Sequence, residues 1–423
     1  MTNERRGFII TFLLHFLIFG YPIQTMIPFA FGIDSSVTNI GFRILFLIIS
    51  LVLIIQSPKS SNDKINLGWL SFIIFWIIYG IRLVFDLEIQ NLVFLEQSSF
   101  YVYSFAFGVC LIPSVAVYLN AHYIDHNTSL RMMFTVLFLS NLFLAYILLS
   151  SNNWSLSQLL VSRIWVEIET NGQTKSIVNP ITIGFFGEVL AIVSIYILAF
   201  SVFIENKLKI ILILSTLLGI INLLIGASRG PVLFFLVLLV FIFYIVQRKK
   251  RRGGIISLKF LFLSILVSLL VISIGIIAVN SEEIEIFNRI TQTVESRETG
   301  GKEERDYEWE SAWRQFKKNP ILGDAFITDY DHSYSHNLFL DVIMSTGFIG
   351  LFFFVRVLYA VLLVCRRIIS NIEFQGSLLV YIIIFIAHFL SGMTSGGLFM
   401  SNGFWMLSAL LLSINFQKAN AYN

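Results

Sequence analysis

Long apolar runs separated by short polar connections dominate the chain. About 20 apolar residues suffice for a helix to cross a hydrocarbon core. Twelve stretches meet that condition, at about 8–32, 40–56, 67–85, 100–119, 132–151, 177–204, 208–226, 231–247, 259–279, 338–364, 377–392 and 397–416. The pattern predicts an all-α polytopic membrane protein of about 12 transmembrane helices. It forms a single transmembrane domain over 1–423, interrupted on one side by a smaller loop at 152–176 and a large one at 280–337. No 20–50-residue repeat and no inverted pair of halves is apparent.

Composition agrees with this pattern. The chain is 57% hydrophobic and 13% charged, against roughly half and a quarter in soluble domains. The placement of charge sets the expected orientation. With a cytoplasmic N-terminus, Arg5, Arg6, Lys59, Lys64, Arg131, Lys207, Lys209, the run Arg248–Arg252, Arg366, Arg367 and Lys418 all fall inside. The short outward connections carry Asp34, then Asp86, Glu88 and Glu96, and finally the uncharged Ser391–Gly397. This is the positive-inside distribution, and it also puts the C-terminus inside. Arg5 and Arg6 precede an apolar run reaching Ile33, too long for a signal-peptide core and better read as the first span. Cys110 and Cys365 each sit in an apolar run and read as inert thiols.

The 280–337 loop holds half of the chain's 26 acidic residues. Trp309, Trp313 and Phe316 recur at helical spacing there, and Asn319-Pro320 ends the run. The expectation is an amphipathic helix at the outer membrane surface, packed by its tryptophan stripe. Strands are not expected.

Several residues could carry chemistry. Arg229, in Gly226-Ala-Ser-Arg-Gly-Pro231, lies at an outward helix junction. An ionised side chain at membrane depth is functional by default, although a snorkelling arginine is the plain alternative. His336, where the loop re-enters the membrane, has a side chain suited to accept a proton near neutral pH. It could equally cap the next helix. His332 is the weaker histidine, and Asn337 could orient His336 or bind a sugar. Arg289 and Arg305 lie among acids; each is an ion-pair partner or a two-pronged phosphate ligand. Arg163, in the smaller loop, is a further binding candidate. No phosphate-binding glycine motif or metal-ligand spacing stands out, and Asp329-Tyr-Asp331 is only a weak approach to a DxD pair.

Three motifs together resemble the O-antigen polymerase and O-antigen ligase family of integral membrane glycosyltransferases. They are Ser228-Arg229-Gly230; Arg305 followed by Trp309, Ala312 and Phe316-Lys-Lys-Asn-Pro-Ile-Leu-Gly323; and His336-Asn337-Leu338-Phe-Leu-Asp341 with Thr346-Gly347-Phe-Ile-Gly350. The sequence departs from the family at Gly323-Asp324, where members often carry a second glycine.

The resemblance implies a GT-C-like, metal-independent enzyme of the bacterial inner membrane without a cofactor. It implies an undecaprenyl-diphosphate-linked glycan as substrate, and surrounding membrane lipid, a chain-length regulator and a flippase as partners, with no nucleic acid. His336 would be the general base, with Arg229 and Arg305 holding the diphosphate and Arg289, Arg163 and Asn337 assisting. Polymerase and ligase share these motifs; Arg163 and the loop ending at Asn179-Pro180 lean towards polymerase. A transporter is the alternative of another class, favoured only by the span count.

Overall fold

The computed structural model describes residues 1–57, 66–154, 159, 165–170, 173–200, 206–251, 285–370 and 376–414. The first apolar run is two helices, α1 (Asn3–Phe19) and α2 (Tyr21–Phe31), meeting at a 67° bend. Gly20 and Pro22 lie at that bend, where proline is tolerated because a first-turn N–H has no helical partner. Then come α3 (Ser35–Ile55), α4 (Leu67–Val84), α5 (Ser99–Phe105), α6 (Ile112–Asn120) and α7 (His126–Ser151). Widened turns at Phe85–Ile89 and Ala106–Leu111 extend α4 and join α5 to α6.

The smaller loop holds an antiparallel hairpin, β1 (Val166–Thr170) with β2 (Gln173–Val178). This corrects the strand-free expectation. A hairpin satisfies backbone groups outside the bundle without helical periodicity, so the apolar pattern gave no hint of it.

The chain continues through α8 (Pro180–Phe200), α9 (Asn206–Ile225), α10 (Arg229–Arg251), α11 (Glu285–Glu298), α12 (Glu304–Lys318), α13 (Leu338–Ser370), α14 (Gly376–Gly392) and α15 (Asn402–Ser413). Among the described residues, eight helices are long and apolar enough to span a membrane. The bent pair would be a ninth, and Leu378–Gly392 and Asn402–Ser413 are shorter apolar helices. The stretch expected at 259–279 lies outside the described residues. The protein is an all-α polytopic membrane protein, with one small hairpin among the described residues.

Apart from Glu188 and a few small polar residues, helix α8 is apolar all round, and it is almost wholly buried, as a central helix must be. It packs on α9 backbone to backbone: a Cβ on Gly187 would lie 2.4 Å from the Gly219 carbonyl oxygen. Small residues permit this approach, and polar side chains secure it. Asn222 donates to Asn141 Oδ1 at 2.9 Å, and Asn141 donates to the Phe186 carbonyl at 3.0 Å. On the other side, Phe72, Phe75, Trp76, Phe354, Phe404 and Trp405 interlock edge-to-face and stacked.

Helix α13 is broken at Gly347, whose φ of +60° and ψ of −157° suit only glycine. The break frees backbone groups, and the turn after α12 captures them. Phe348 N–H donates to the Pro320 carbonyl at 2.8 Å, and Asp324 N–H donates to the Met344 carbonyl at 2.8 Å. The large loop is thereby wedged into the bundle next to the start of α13.

Candidate active site

Two helix beginnings and one loop meet at the loop-bearing end. The first beginning is the α9–α10 junction. Ala227 takes a positive φ of +40°, which turns the chain sharply and brings Arg229 to the start of α10. The Ala227 carbonyl accepts from Arg289 Nη1 at 2.9 Å, tying α11 to the junction.

The second beginning is that of α12. Glu303 is its N-cap in a reciprocal capping box: Asp306 accepts from the Glu303 N–H at 2.9 Å, while Glu303 accepts from the Asp306 N–H. The same Glu303 carboxylate takes both prongs of Arg229, Nη1 to Oε1 at 2.8 Å and Nη2 to Oε2 at 2.9 Å.

The inward face of α12 is not the one expected. Trp309 and Trp313 are 37% and 46% exposed, whereas Glu308, Ser311, Ala312, Gln315 and Phe316 are buried. These recur at i, i+3, i+4, i+7 and i+8, the spacing of one helix face. The tryptophan stripe therefore faces outward. In an ordinary amphipathic helix the aromatic face would be inside, but here the inner surface is a polar site rather than an apolar core. Only Phe316, at the far end, packs inward, its ring 5.1 Å from that of Phe348.

The polar face organises the incoming loop. Gln315 donates to the Ile327 carbonyl at 3.0 Å and accepts from Asp329 N–H at 3.2 Å. Ser311 donates to the Asp329 carboxylate, as does Arg314 at 2.7 Å. Asp331 accepts from the Thr328 hydroxyl at 2.6 Å and from Ser333 N–H at 3.1 Å. Asp331 belongs to the weak DxD pair; here its carboxylate shapes the loop.

The loop ends at His336, in the left-handed region at φ +56°. Its Nε2 lies 3.6 Å from Glu308 Oε1, and its ring packs 4.5 Å from that of Tyr334. Glu308 Oε2 is buried without a hydrogen-bond partner among the described residues. Next to His336, Ser335 is held by buried Asp341, which accepts from its N–H at 2.8 Å and its hydroxyl at 2.6 Å. Asp341 also accepts from Leu398 N–H at 3.0 Å. Asn337 caps α13: its Oδ1 accepts from Phe339 N–H at 3.0 Å and Leu340 N–H at 3.2 Å, and its Nδ2 donates to the Met393 carbonyl at 3.3 Å.

The electrostatics follow from this crowding. Burial, reinforced by the Arg305 charge, pushes the His336 imidazole down to about 4, so it is neutral near pH 7. Burial pushes Glu308 up to about 7; Asp331 and Glu304 add to this, while Arg305 opposes it. Arg305 is itself lowered, first by burial, with Glu308 opposing and Arg229 and Arg289 adding like-charge repulsion. It remains cationic, as a guanidinium does in proteins. Arg305 thus feels the charges of Arg229, Arg289 and Glu308, and its own charge reaches the neutral imidazole of His336.

The fold therefore brings together Arg229, Arg289, Arg305 and His336, with Asn337 adjacent. Arg163 lies outside the described residues. Sequence reasoning missed Glu303 and Glu308 as partners. Glu308 stands three residues after Arg305, hence on the same helix face, but the tryptophan pattern drew the inward face elsewhere. Nothing local in the sequence marks Glu303 as the partner of a residue 74 positions away.

Arginines, a histidine and buried carboxyl groups thus meet at the loop-bearing end of an apolar helical bundle. The O-antigen ligase family model matches residues 214–355. That stretch contains Arg229, Arg289, Arg305, His336 and Asn337, so the chain carries an O-antigen ligase domain within a multi-pass membrane protein. No curated protein matches the chain.

Proposed function

We propose that the chain is a membrane glycosyltransferase. It polymerises undecaprenyl-diphosphate-linked oligosaccharide repeat units into O-antigen or a related surface polysaccharide at the periplasmic face of the inner membrane. The observation that carries the reading is the convergence of Arg229, Arg289 and Arg305 beside the His336–Glu308 pair.

In this reaction the acceptor sugar hydroxyl gives its proton to His336. Its oxygen bonds to the anomeric carbon of the donor, and the bond from that carbon to the diphosphate oxygen breaks. The leaving diphosphate carries its negative charge towards Arg229, Arg289 and Arg305, whose fixed guanidinium groups stabilise it without reorganisation. Guanidinium is suited to this because its planar fork engages phosphate oxygens in pairs. Glu308, once ionised, stabilises the imidazolium formed. No covalent intermediate is required. Asn337, beside the base, and Arg163, on the smaller loop, complete the proposed substrate contacts. A chain-length regulator and a flippase are the proposed partners.

The second reading is a ligase that moves finished polymer onto lipid A-core, which the matched family's description favours. Arg163 and the loop ending at Asn179-Pro180 support polymerase. Gel analysis of surface glycan in a deletion strain decides between them. A polymerase deletion accumulates single repeat units on the lipid carrier; long polymer still on the carrier would instead establish the ligase.

A further inference from the structure

The histidine loop is held from outside the family-matched stretch. Arg82 lies near the loop end of α4, its side chain 14% exposed, and reaches across to the turn after α12. Its Nη1 donates to the Asp324 carbonyl at 2.9 Å, and its Nη2 donates to the carbonyls of Leu322 at 3.1 Å and Gly323 at 3.0 Å. Three successive carbonyls thus converge on one guanidinium. Nη1 also meets Asp86 Oδ1 at 3.2 Å, one turn further along. Asp86 is fully buried, and its Oδ2 accepts from the Phe326 N–H at 2.8 Å.

The following connection continues the support. Leu95 N–H donates to the His332 carbonyl at 3.2 Å. The Phe94 ring stacks at 5.9 Å on Tyr334, whose ring in turn abuts His336 at 4.5 Å. From Leu322 to Tyr334, the loop therefore rests on residues 82–95. An arginine so little exposed near a membrane end needs full compensation, and here the compensating groups are the loop's own backbone.

We propose that Arg82, Asp86 and Phe94 are positioning residues for His336, a platform in the N-terminal half that fixes the base for glycosyl transfer. The inference rests on the function proposed above. It explains the geometry: the turn at 320–324 is wedged against the α13 break on one side and clamped by Arg82 on the other, leaving His336 one settled position above Glu308. Small displacements of a catalytic group lower the rate of the chemical step more than they weaken binding by groups left in place.

Full-length protein in lipid nanodiscs, assayed with lipid-diphosphate-linked repeat unit, provides the test. Arg82→Lys keeps the charge beside Asp86 but lacks the planar fork needed to serve three carbonyls. It is expected to lower kcat by roughly 10- to 100-fold at nearly unchanged KM, because Arg229, Arg289 and Arg305 are untouched. Amide hydrogen exchange at Asp324 and Phe326 should quicken, with melting otherwise close to wild type. Phe94→Leu leaves the clamp intact and should also lower kcat at constant KM; it decides the matter if Arg82→Lys fails to fold. Wild-type kcat in whichever of these variants folds overturns the proposal, as does a parallel rise in KM. His336→Ala separates the two claims. Full activity in that variant defeats the general-base reading itself, whereas an inactive His336→Ala beside a fully active Arg82→Lys defeats only the platform.

Discussion

Arg229 and Glu303 form a two-pronged pair, with nitrogen–oxygen distances of 2.8 and 2.9 Å, across 74 positions of sequence. The carboxylate occupies the edge of the guanidinium that a phosphate would take. Both side chains retain about a quarter of their exposure, so the pair is accessible to exchange.

Diphosphate is accordingly expected to displace Glu303. Glu303→Gln removes the competing charge and should lower KM for the lipid diphosphate donor severalfold. Arg229→Lys retains one charge without the fork and should raise KM about tenfold, the equivalent of about 1.4 kcal/mol. Steady-state kinetics of the reconstituted protein check both. A KM that rises in Glu303→Gln would show that the carboxylate helps to build the site instead of occupying it.

The His336–Glu308 pair predicts a pH profile. With the imidazole pushed down to about 4, His336 is neutral across the working range. Glu308, pushed up to about 7, loses its proton there. In the proposed reaction only the ionised carboxylate, 3.6 Å away, would stabilise the imidazolium formed in the transition state. The rate should climb through pH about 7 and level off above it. In Glu308→Gln the climb should vanish and the plateau fall about tenfold. His336→Ala should lose roughly 10²- to 10⁴-fold. A Glu308→Gln variant that keeps the same rising limb would assign that limb to another group.

The same shift predicts a stability trend with the opposite slope. A carboxyl whose folded-state value is raised above its ordinary one contributes stability below pH 4.5 that is lost as pH rises through about 7. Wild type should therefore melt progressively lower than Glu308→Gln between pH 5 and 8, by at most about 3 kcal/mol. Thermal unfolding in detergent at the two pH values measures the gap, and a gap that closes with rising pH contradicts it. Activity and stability thus pull Glu308 in opposite directions, as expected of a buried acid kept for chemistry.

How much of this was readable in advance depended on the range of the interaction. The spans were legible because lipid demands runs of apolar residues, and that demand is local. Arg229 and His336 stood out because each lies where a polar loop meets a span, and Arg305 because it heads the tryptophan motif of the large loop. Their partners did not stand out. Glu303 and Glu308 sit in a run of acids whose members look alike until the fold buries some of them. Arg82 falls inside the expected span at 67–85 and Asp86 reads as an outward topology-setting acid, and their role appears only when a turn 240 residues away arrives. The tryptophan stripe misled because an aromatic face points to the interior only when that interior is apolar. The β-hairpin was missed for a related reason, since its buried residues Val166, Ile177 and Val178 lie at the ends of the strands and make no apolar run.

The final prediction concerns two glycines that share one interface. Gly323 has φ of +78°, and a Cβ there would lie 2.3 Å from the Ser345 carbonyl carbon. Gly347 has φ of +60°, and a Cβ there would lie 2.4 Å from the Ile321 carbonyl oxygen. Both clashes are with backbone, which cannot swing aside as a side chain can. Gly323→Ala and Gly347→Ala should each destabilise by more than the roughly 1–3 kcal/mol of conformational strain alone, because the strand of loop at 320–324 must also move. Once one substitution has pushed that segment out of the α13 break, the second meets less resistance. The double variant should therefore lose clearly less than the sum of the singles, and all three should show slower transfer per folded molecule, since the displaced segment leads directly to His336. Melting and kinetics of the three variants test this together. Strict additivity would mean that the turn and the α13 break are independent features and not one joint.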